Sequence, residues 1–301
     1  MNFLPLKVLL FLSLCLALAP ARCLAQDDDV IRINTDLVIL NITVTDSSGK
    51  YVRGLQKADF KVYEDGKQVD ASLITGFALQ ESPFASVVLL DTSGSMESRL
   101  SLGRSAAIRF LDGLREEDVA AVFRFDSKVE QVQDFSGGRD LAPIAYSIRA
   151  KGMTTLNDAI VTATEALTKR QERRKAIVIL SDGIDTFSNA SSRRALESAL
   201  AIGASIYAVD MSPSDRARGF QTAVMLRDFA DKTGGRFVAS PGGPALRDAF
   251  ASIAEELGHQ YTLAYRPLNP ARDGNWRKLE VKLSDPGLTL RTRKGYRVPK
   301  E

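Results

Sequence analysis

Ala85-Ser-Val-Val-Leu-Leu-Asp91-Thr-Ser-Gly-Ser-Met96 decides how this chain is read. Val87 to Leu90 is an apolar run of strand length that stops at Asp91, and the next four residues are small and mostly oxygen-bearing: Thr92, Ser93, Gly94 and Ser95. A buried strand therefore gives way to a polar loop. Ser101 to Leu111 then has helical apolar spacing, so Asp91, Ser93 and Ser95 fall on a strand-to-helix loop, where open α/β sheets place their ligands.

Asp-x-Ser-x-Ser is common by chance, and two later stretches give it weight. Gly152-Met-Thr154-Thr-Leu-Asn-Asp158-Ala-Ile160 offers a hydroxyl just before a helix, and Ala176-Ile-Val-Ile-Leu-Ser-Asp182-Gly183 ends a second buried strand on a carboxylate. Together the three loops resemble the von Willebrand factor A (VWA) domain and its metal-ion-dependent adhesion site, whose motif matches at Asp91, Ser93, Ser95, Thr154 and Asp182. Upstream, Val52 to Lys67 is similar to the segment that precedes the VWA domain in a bacterial family of secreted VWA-related proteins.

The chain has 301 residues, 45% hydrophobic and 26% charged, a balance that fits a globular protein and excludes a disordered or collagenous one. Met1 to Ala25 has Lys7 ahead of an apolar run from Val8 to Ala19 and a small residue at its end, which predicts a cleavable signal peptide and a secreted, periplasmic or cell-surface protein. That run is shorter than the roughly 20 residues a spanning helix needs, and no later one is longer, so no transmembrane segment is expected after cleavage. Both cysteines, Cys15 and Cys23, lie in the leader, so neither disulfides nor thiolate metal sites are expected beyond it. With Lys7 and Arg22 removed, 38 basic side chains face 37 acidic ones, which gives no reason to expect nucleic acid.

Ile31 to Thr45 alternates like a half-buried strand, and Glu64-Asp65-Gly66-Lys67 between Phe60–Tyr63 and Gln68–Leu73 is a hairpin signal. From Pro83 the pattern changes to strands near residues 86–90, 119–125, 128–135, 175–180, 205–209 and 236–239. Helices are expected near 99–113, 139–150, 156–170, 192–202, 220–233 and 244–257. After Gly258 the chain returns to strands at 260–265, 276–283 and 288–293. The expected fold is α/β, a doubly wound and mainly parallel sheet inserted in or flanked by a small β-sandwich. The expected division is a leader (1–25), an N-terminal β segment (27–82), a VWA domain (83–258) and a C-terminal β segment (259–301) that pairs with the first.

Hydroxyl and carboxylate donors without His or Cys favour a hard cation, Mg²⁺ first, with Ca²⁺ or Mn²⁺ as alternatives. The resemblance implies that Ser93 and Ser95 bind the ion directly, Thr154 directly or through water, and Asp91 and Asp182 largely through water. An ion with mostly neutral direct ligands keeps its charge, so the implied partner is a protein that supplies a carboxylate. Met153, where a second glycine is frequent in the motif, and Asp158 read as structural.

Catalytic readings find little support. An aspartyl-nucleophile phosphatase would want a carboxylate where Ser93 stands, and a Ser-His-Asp hydrolase needs an imidazole, yet the single histidine is His259, at the boundary into the β region, where it reads as a solvated or hinge residue. No phosphate loop occurs, and Gly242-Gly243-Pro244 reads as helix initiation. The basic runs at 169–175 and 291–300 read as solvated faces, and Trp276 as a β-domain core residue. The expected function is a non-enzymatic, adhesion-type binding module; the alternative is an envelope scaffold with a structural or vestigial metal site.

Overall fold

Phe84–Asp91 forms a strand (β5) in which all eight residues are buried, as a continuous apolar run requires when both faces of a sheet are covered. The computed structural model describes residues 37–78, 82–182, 185–212, 217–239, 244–298 and 300. The expected leader, both cysteines, residues 31–36 of the first expected strand and Gly242-Gly243 lie outside them. β5 is central in a six-stranded sheet ordered β10 (Phe237–Ala239), β9 (Ser205–Asp210), β8 (Arg174–Ser181), β5, β6 (Val119–Phe125) and β7 (Val129–Ser136). All neighbours are parallel except β6 and β7. Strand order steps outward in both directions from β5, which makes its C-terminal end the switch point of the sheet.

The alternation of side chains along β5 divides two cores. Val88 and Leu90 pack with Phe110 of α1 (Leu100–Asp112) and with Phe250 and Ile253 of α6 (Pro244–Gly258). Val87 and Leu89 pack on the other face with Ile160 of α3 (Leu156–Thr168), Leu196 of α4 (Ser192–Ala201) and Phe229 of α5 (Ala217–Thr233).

Strands from the two ends of the chain share two further sheets. One runs β13 (Thr289–Arg291), β1 (Val38–Thr45), β11 (Tyr261–Tyr265), β4 (Ile74–Ala78), and the other β14 (Gly295–Arg297), β12 (Trp276–Leu283), β2 (Phe60–Glu64), β3 (Lys67–Gln68). Their inner faces meet in one core that includes Leu40, Ile42, Val62, Leu263 and Leu279. The α/β unit is inserted between β4 and β11, which are antiparallel neighbours with Ala78 opposite Thr262. The β2–β3 turn has positive φ at both Asp65 (49°) and Gly66 (81°), the backbone a two-residue hairpin needs.

Five expectations are corrected. The helix expected over 139–150 is a single turn, α2 (Ile144–Ser147); Pro143 lacks an N–H and disfavours helical backbone at Ala142, whose amide donates to Gln133 Oε1 at 2.8 Å instead. The strand expected at 68–73 breaks after Gln68, because Asp70 accepts from Ser72 N at 2.8 Å and caps a 3₁₀ turn over Ala71–Leu73. The strand expected at 288–293 is shorter, β13 (Thr289–Arg291), and a further strand that was not expected, β14, follows it at Gly295–Arg297. Trp276 is 39% exposed, because the register of β12 turns Arg277 and Leu279 inward; its indole lies over Gly295, where a Cβ would come within 2.3 Å of the ring. Arg174 and Arg293 are not solvated: Arg174 donates to the Ser82 (2.7 Å) and Leu257 carbonyls, Arg293 donates to Leu200 O (3.1 Å), and burial pushes both guanidinium groups down to about 10.

Glu256 of α6 ties the inserted unit to its frame. Its buried carboxylate accepts from Tyr207 OH of β9 (2.8 Å) and Thr43 Oγ1 of β1 (3.1 Å), and pairs with Arg291 of β13 and Arg236. Burial first, and Glu256 second, raise the Tyr207 phenol well above its ordinary value. Glu256→Gln leaves two cations without their counter-charge; because both arginines are about 30% exposed, the expected loss lies near the low end for a broken buried pair, about 3 kcal/mol. Tyr207→Phe removes one hydroxyl and is expected to cost about 1 kcal/mol. Urea unfolding of the two variants beside wild type checks the order; equal losses would contradict a charge-dominated junction.

Candidate functional site

β5 delivers Asp91 to the switch point with its carboxylate 1% exposed. Asp91 Oδ1 accepts from Ser93 N at 2.8 Å, which turns the chain sharply out of the strand, and Oδ2 accepts from Ser181 Oγ at 2.5 Å, the last residue of the neighbouring β8. Burial pushes the Asp91 carboxyl up to about 6 against the lowering effect of these hydroxyl and amide donors, with a smaller push from Asp182.

Ser93 opens a 3₁₀ turn over Gly94–Arg99, which carries Ser95. Ser93 Oγ and Ser95 Oγ lie 3.2 Å apart, and Ser95 Oγ donates to Asp182 Oδ1 at 2.7 Å. Asp182 Oδ2 takes Arg99 Nη1 at 3.1 Å. Asp91, Ser93, Ser95 and Asp182 thus form one connected set of oxygens from two loops, open to solvent at the exposed Ser95.

The third loop is joined to the first through backbone: Gly94 N donates to Gly152 O (3.1 Å) and Lys151 N to Thr92 O (2.8 Å). Gly152 has φ +78° and sits against Ser127, whose Oγ would lie 2.6 Å from an added Cβ. That Oγ accepts from Met153 N at 3.0 Å. Thr154 is buried, its amide donates to Thr186 Oγ1 (3.1 Å), and its carbonyl accepts from Thr186 N (2.9 Å) and Phe187 N (3.1 Å). Its hydroxyl has no hydrogen-bond partner among the described residues and is not bonded to the other four. Asp158 holds the next loop by accepting from Asn189 N (2.9 Å) and Ala190 N (2.8 Å), a structural task.

The donor set fits a hard cation. Two carboxylates, one of them fully desolvated, and two serine hydroxyls converge, with the half-buried Arg99 as the compensating charge. Among the described residues no three Asp, Glu, His or Cys side chains gather at one point, so any metal here would depend on hydroxyl ligands. Asn157 Oδ1, in the first turn of α3, is buried without a partner, an acceptor suited to water. His259 is remote from this cluster at the end of α6, stacked on Tyr51 at 5.0 Å and bonded to Arg53.

Residues 86–184 match the sequence profile of the von Willebrand factor type A domain, a span that includes all five oxygen donors. The chain carries a VWA domain. Domains of this type are generally interaction modules rather than enzymes. The chain is 30% identical over 106 residues to uncharacterized protein sll0103 of Synechocystis sp., an alignment that covers 34% of this chain and 25% of that protein, so it spans about a quarter of the length of the curated relative it matches. Similar solved structures include a von Willebrand factor type A protein from Catenulispora acidiphila (13% identity, 89% of this chain and 74% of that one, TM-score 0.48). Another is the PilB minor pilin from Streptococcus sanguinis (17% identity, 62% of each chain, TM-score 0.46).

Around the VWA motif the structure adds residues that the sequence reading missed: Ser181, Arg99, Ser127, Thr186 and Asp185. Asp185 accepts from Asn157 N at 2.7 Å and from Ser188 N at 3.1 Å, and so caps α3 from the 185–188 turn. An Asp three residues before a Ser is the one local signal that could have found it. Asp185→Ala removes these two bonds and the one from Ser188 Oγ (2.5 Å), and is expected to cost about 1–2 kcal/mol and to speed amide exchange at Asn157 and Ser188 while β5 and β8 stay protected. Exchange by mass spectrometry or NMR checks this; unchanged protection at Asn157 would show that the cap is dispensable.

Proposed function

We propose that this chain is an exported, non-enzymatic binding module that engages an acidic residue of a partner protein through a divalent ion, Mg²⁺ in the first instance and Ca²⁺ or Mn²⁺ as alternatives. Asp91, Ser93, Ser95, Thr154 and Asp182 would hold the ion, which when bound supplies a Lewis-acidic position for the partner's carboxylate. The observation that carries the reading is the run of contacts from Ser93 Oγ to Ser95 Oγ (3.2 Å) to Asp182 Oδ1 (2.7 Å), beside a buried Asp91, at the switch point of the sheet. Ser181 and the Ser93 amide fix the Asp91 rotamer, and the exposed Ser95 leaves a way in from solvent. Export rests on the leader, and the described residues contain no helix long and apolar enough to cross a membrane.

One observation favours a second reading, a scaffold of the cell envelope in which the site is structural or vestigial. Arg99 already neutralises Asp182 at 3.1 Å, so the loops have a counter-charge of their own. Titration calorimetry with Mg²⁺ on the full chain separates the two. Saturable binding that weakens at least about ten-fold in Ser93→Ala/Ser95→Ala, which lacks two hydroxyl ligands, is the expected result. Absence of any saturable heat with Mg²⁺, Ca²⁺ or Mn²⁺ in wild type would leave the scaffold.

A further inference from the structure

Large apolar side chains exposed among the described residues are Leu37, Met153, Phe187, Val224 and Trp276. Single exposed apolar residues are ordinary on any surface, and Leu37 lies just before β1, Val224 on α5 and Trp276 on β12. Met153 and Phe187 are different. They are 51% and 52% exposed, and a single residue joins them: Thr154 follows Met153 in the chain, and its carbonyl accepts from Phe187 N at 3.1 Å. Both therefore stand on the rim of the candidate site, on either side of the residue that would contribute the third loop's ligand.

Neither backbone is loosely held. Met153 N is fixed by Ser127 Oγ (3.0 Å), the Gly152 carbonyl by Gly94 N (3.1 Å), and Thr186 by two bonds to Thr154. A loop with that many ties could have turned a methionine and a phenylalanine inward; presenting both to water costs hydration free energy that a partner's apolar surface would recover. Methionine adapts its shape to a contact and phenylalanine supplies area, and both residue types are enriched where partners dock. Lys151, exposed in the same loop and fixed by its amide to Thr92 O at 2.8 Å, adds a positive charge beside the apolar pair.

We propose that Met153 and Phe187 form an apolar docking surface beside the carboxylate position, and that the partner presents an acidic residue with a large aliphatic or aromatic side chain within one or two positions of it. Lys151 and a bound cation complement the acidic residue, and the apolar pair receives its neighbour. This inference deepens the metal-mediated reading and rests on it for the acidic half of the determinant.

A random linear peptide library displayed on phage, selected on the full chain in Mg²⁺, is the test. Wild type is expected to enrich Asp or Glu with an apolar neighbour. Met153→Ser/Phe187→Ser, which leaves every oxygen donor in place, is expected to keep its Mg²⁺ affinity within about two-fold and to lose the apolar preference while retaining the acidic one. Ser93→Ala/Ser95→Ala is expected to lose the acidic preference. Apolar peptides without an acid that vanish in Met153→Ser/Phe187→Ser would sustain the docking surface and sink the metal reading. Acidic peptides with no apolar neighbour, an apolar preference that survives in Met153→Ser/Phe187→Ser, or no enrichment over that variant would overturn the docking surface.

Discussion

Asp91 is a carboxylate placed where a carboxylate is least comfortable, at the end of a strand buried along its whole length. Desolvation pushes it up to about 6, and what surrounds it follows from that cost. Ser181 ends the adjacent strand with a hydroxyl, and the chain turns so that Ser93 N points back at the carboxylate. The same turn lets Gly94 N donate to Gly152 O at 3.1 Å, and Gly152, at φ +78°, has no room for a Cβ against Ser127 Oγ. The Asp-x-Ser-x-Ser spacing is therefore first a way of burying a charge, and the oxygen cluster beside it is built on the same turn.

The frame solves a related problem twice. Glu256 at the junction and Glu64 inside the sandwich are both buried, and both are met by phenols: Tyr207 on Glu256, Tyr265 (2.7 Å) and Tyr296 (3.0 Å) on Glu64. Burial and then the Glu64 carboxylate raise the Tyr265 phenol, which keeps it a donor at any physiological pH. Tyr265 and Tyr296 come from the C-terminal strands while Glu64 comes from β2, so the bond links the two ends of the chain across the core. Glu256 does the same between α6 and strands β1 and β13. Such links favour this pairing, because a shifted register would carry these carboxylates away from their phenols.

Much of this was legible in the sequence because it is periodic. β5 is an apolar run that ends on Asp91, β8 one that Asp182 follows, the helices that cover them have apolar stripes, and Asp65-Gly66 states its own turn. What was not legible depended on partners distant in the chain. A basic run reads as solvated because lysine and arginine usually are, yet Arg174 finds the carbonyls of Ser82 and Leu257 and Arg293 that of Leu200. Trp276 reads as core by residue type, but β12 turns Leu279 into the core and Arg277, which bonds Asp273 at 2.7 Å, to the same side, leaving Trp276 on the other. At the site, the five oxygen donors were visible as a motif, whereas Arg99 and Ser127 act through contacts that no local spacing announces.

The loops around Asp91 are assembled by the chain itself. Thr92 O and Gly152 O take amides across the first and third loops, Thr154 O takes two from the 186–187 turn, and Arg99 spans to Asp182. A cation bound among them would find the loops already in place, so little of its binding free energy would be spent on ordering them. It would add to fold stability only in proportion to its own affinity and concentration. The Arg99–Asp182 pair would oppose such an ion, which would have to share or displace a carboxylate that the guanidinium already holds at 3.1 Å.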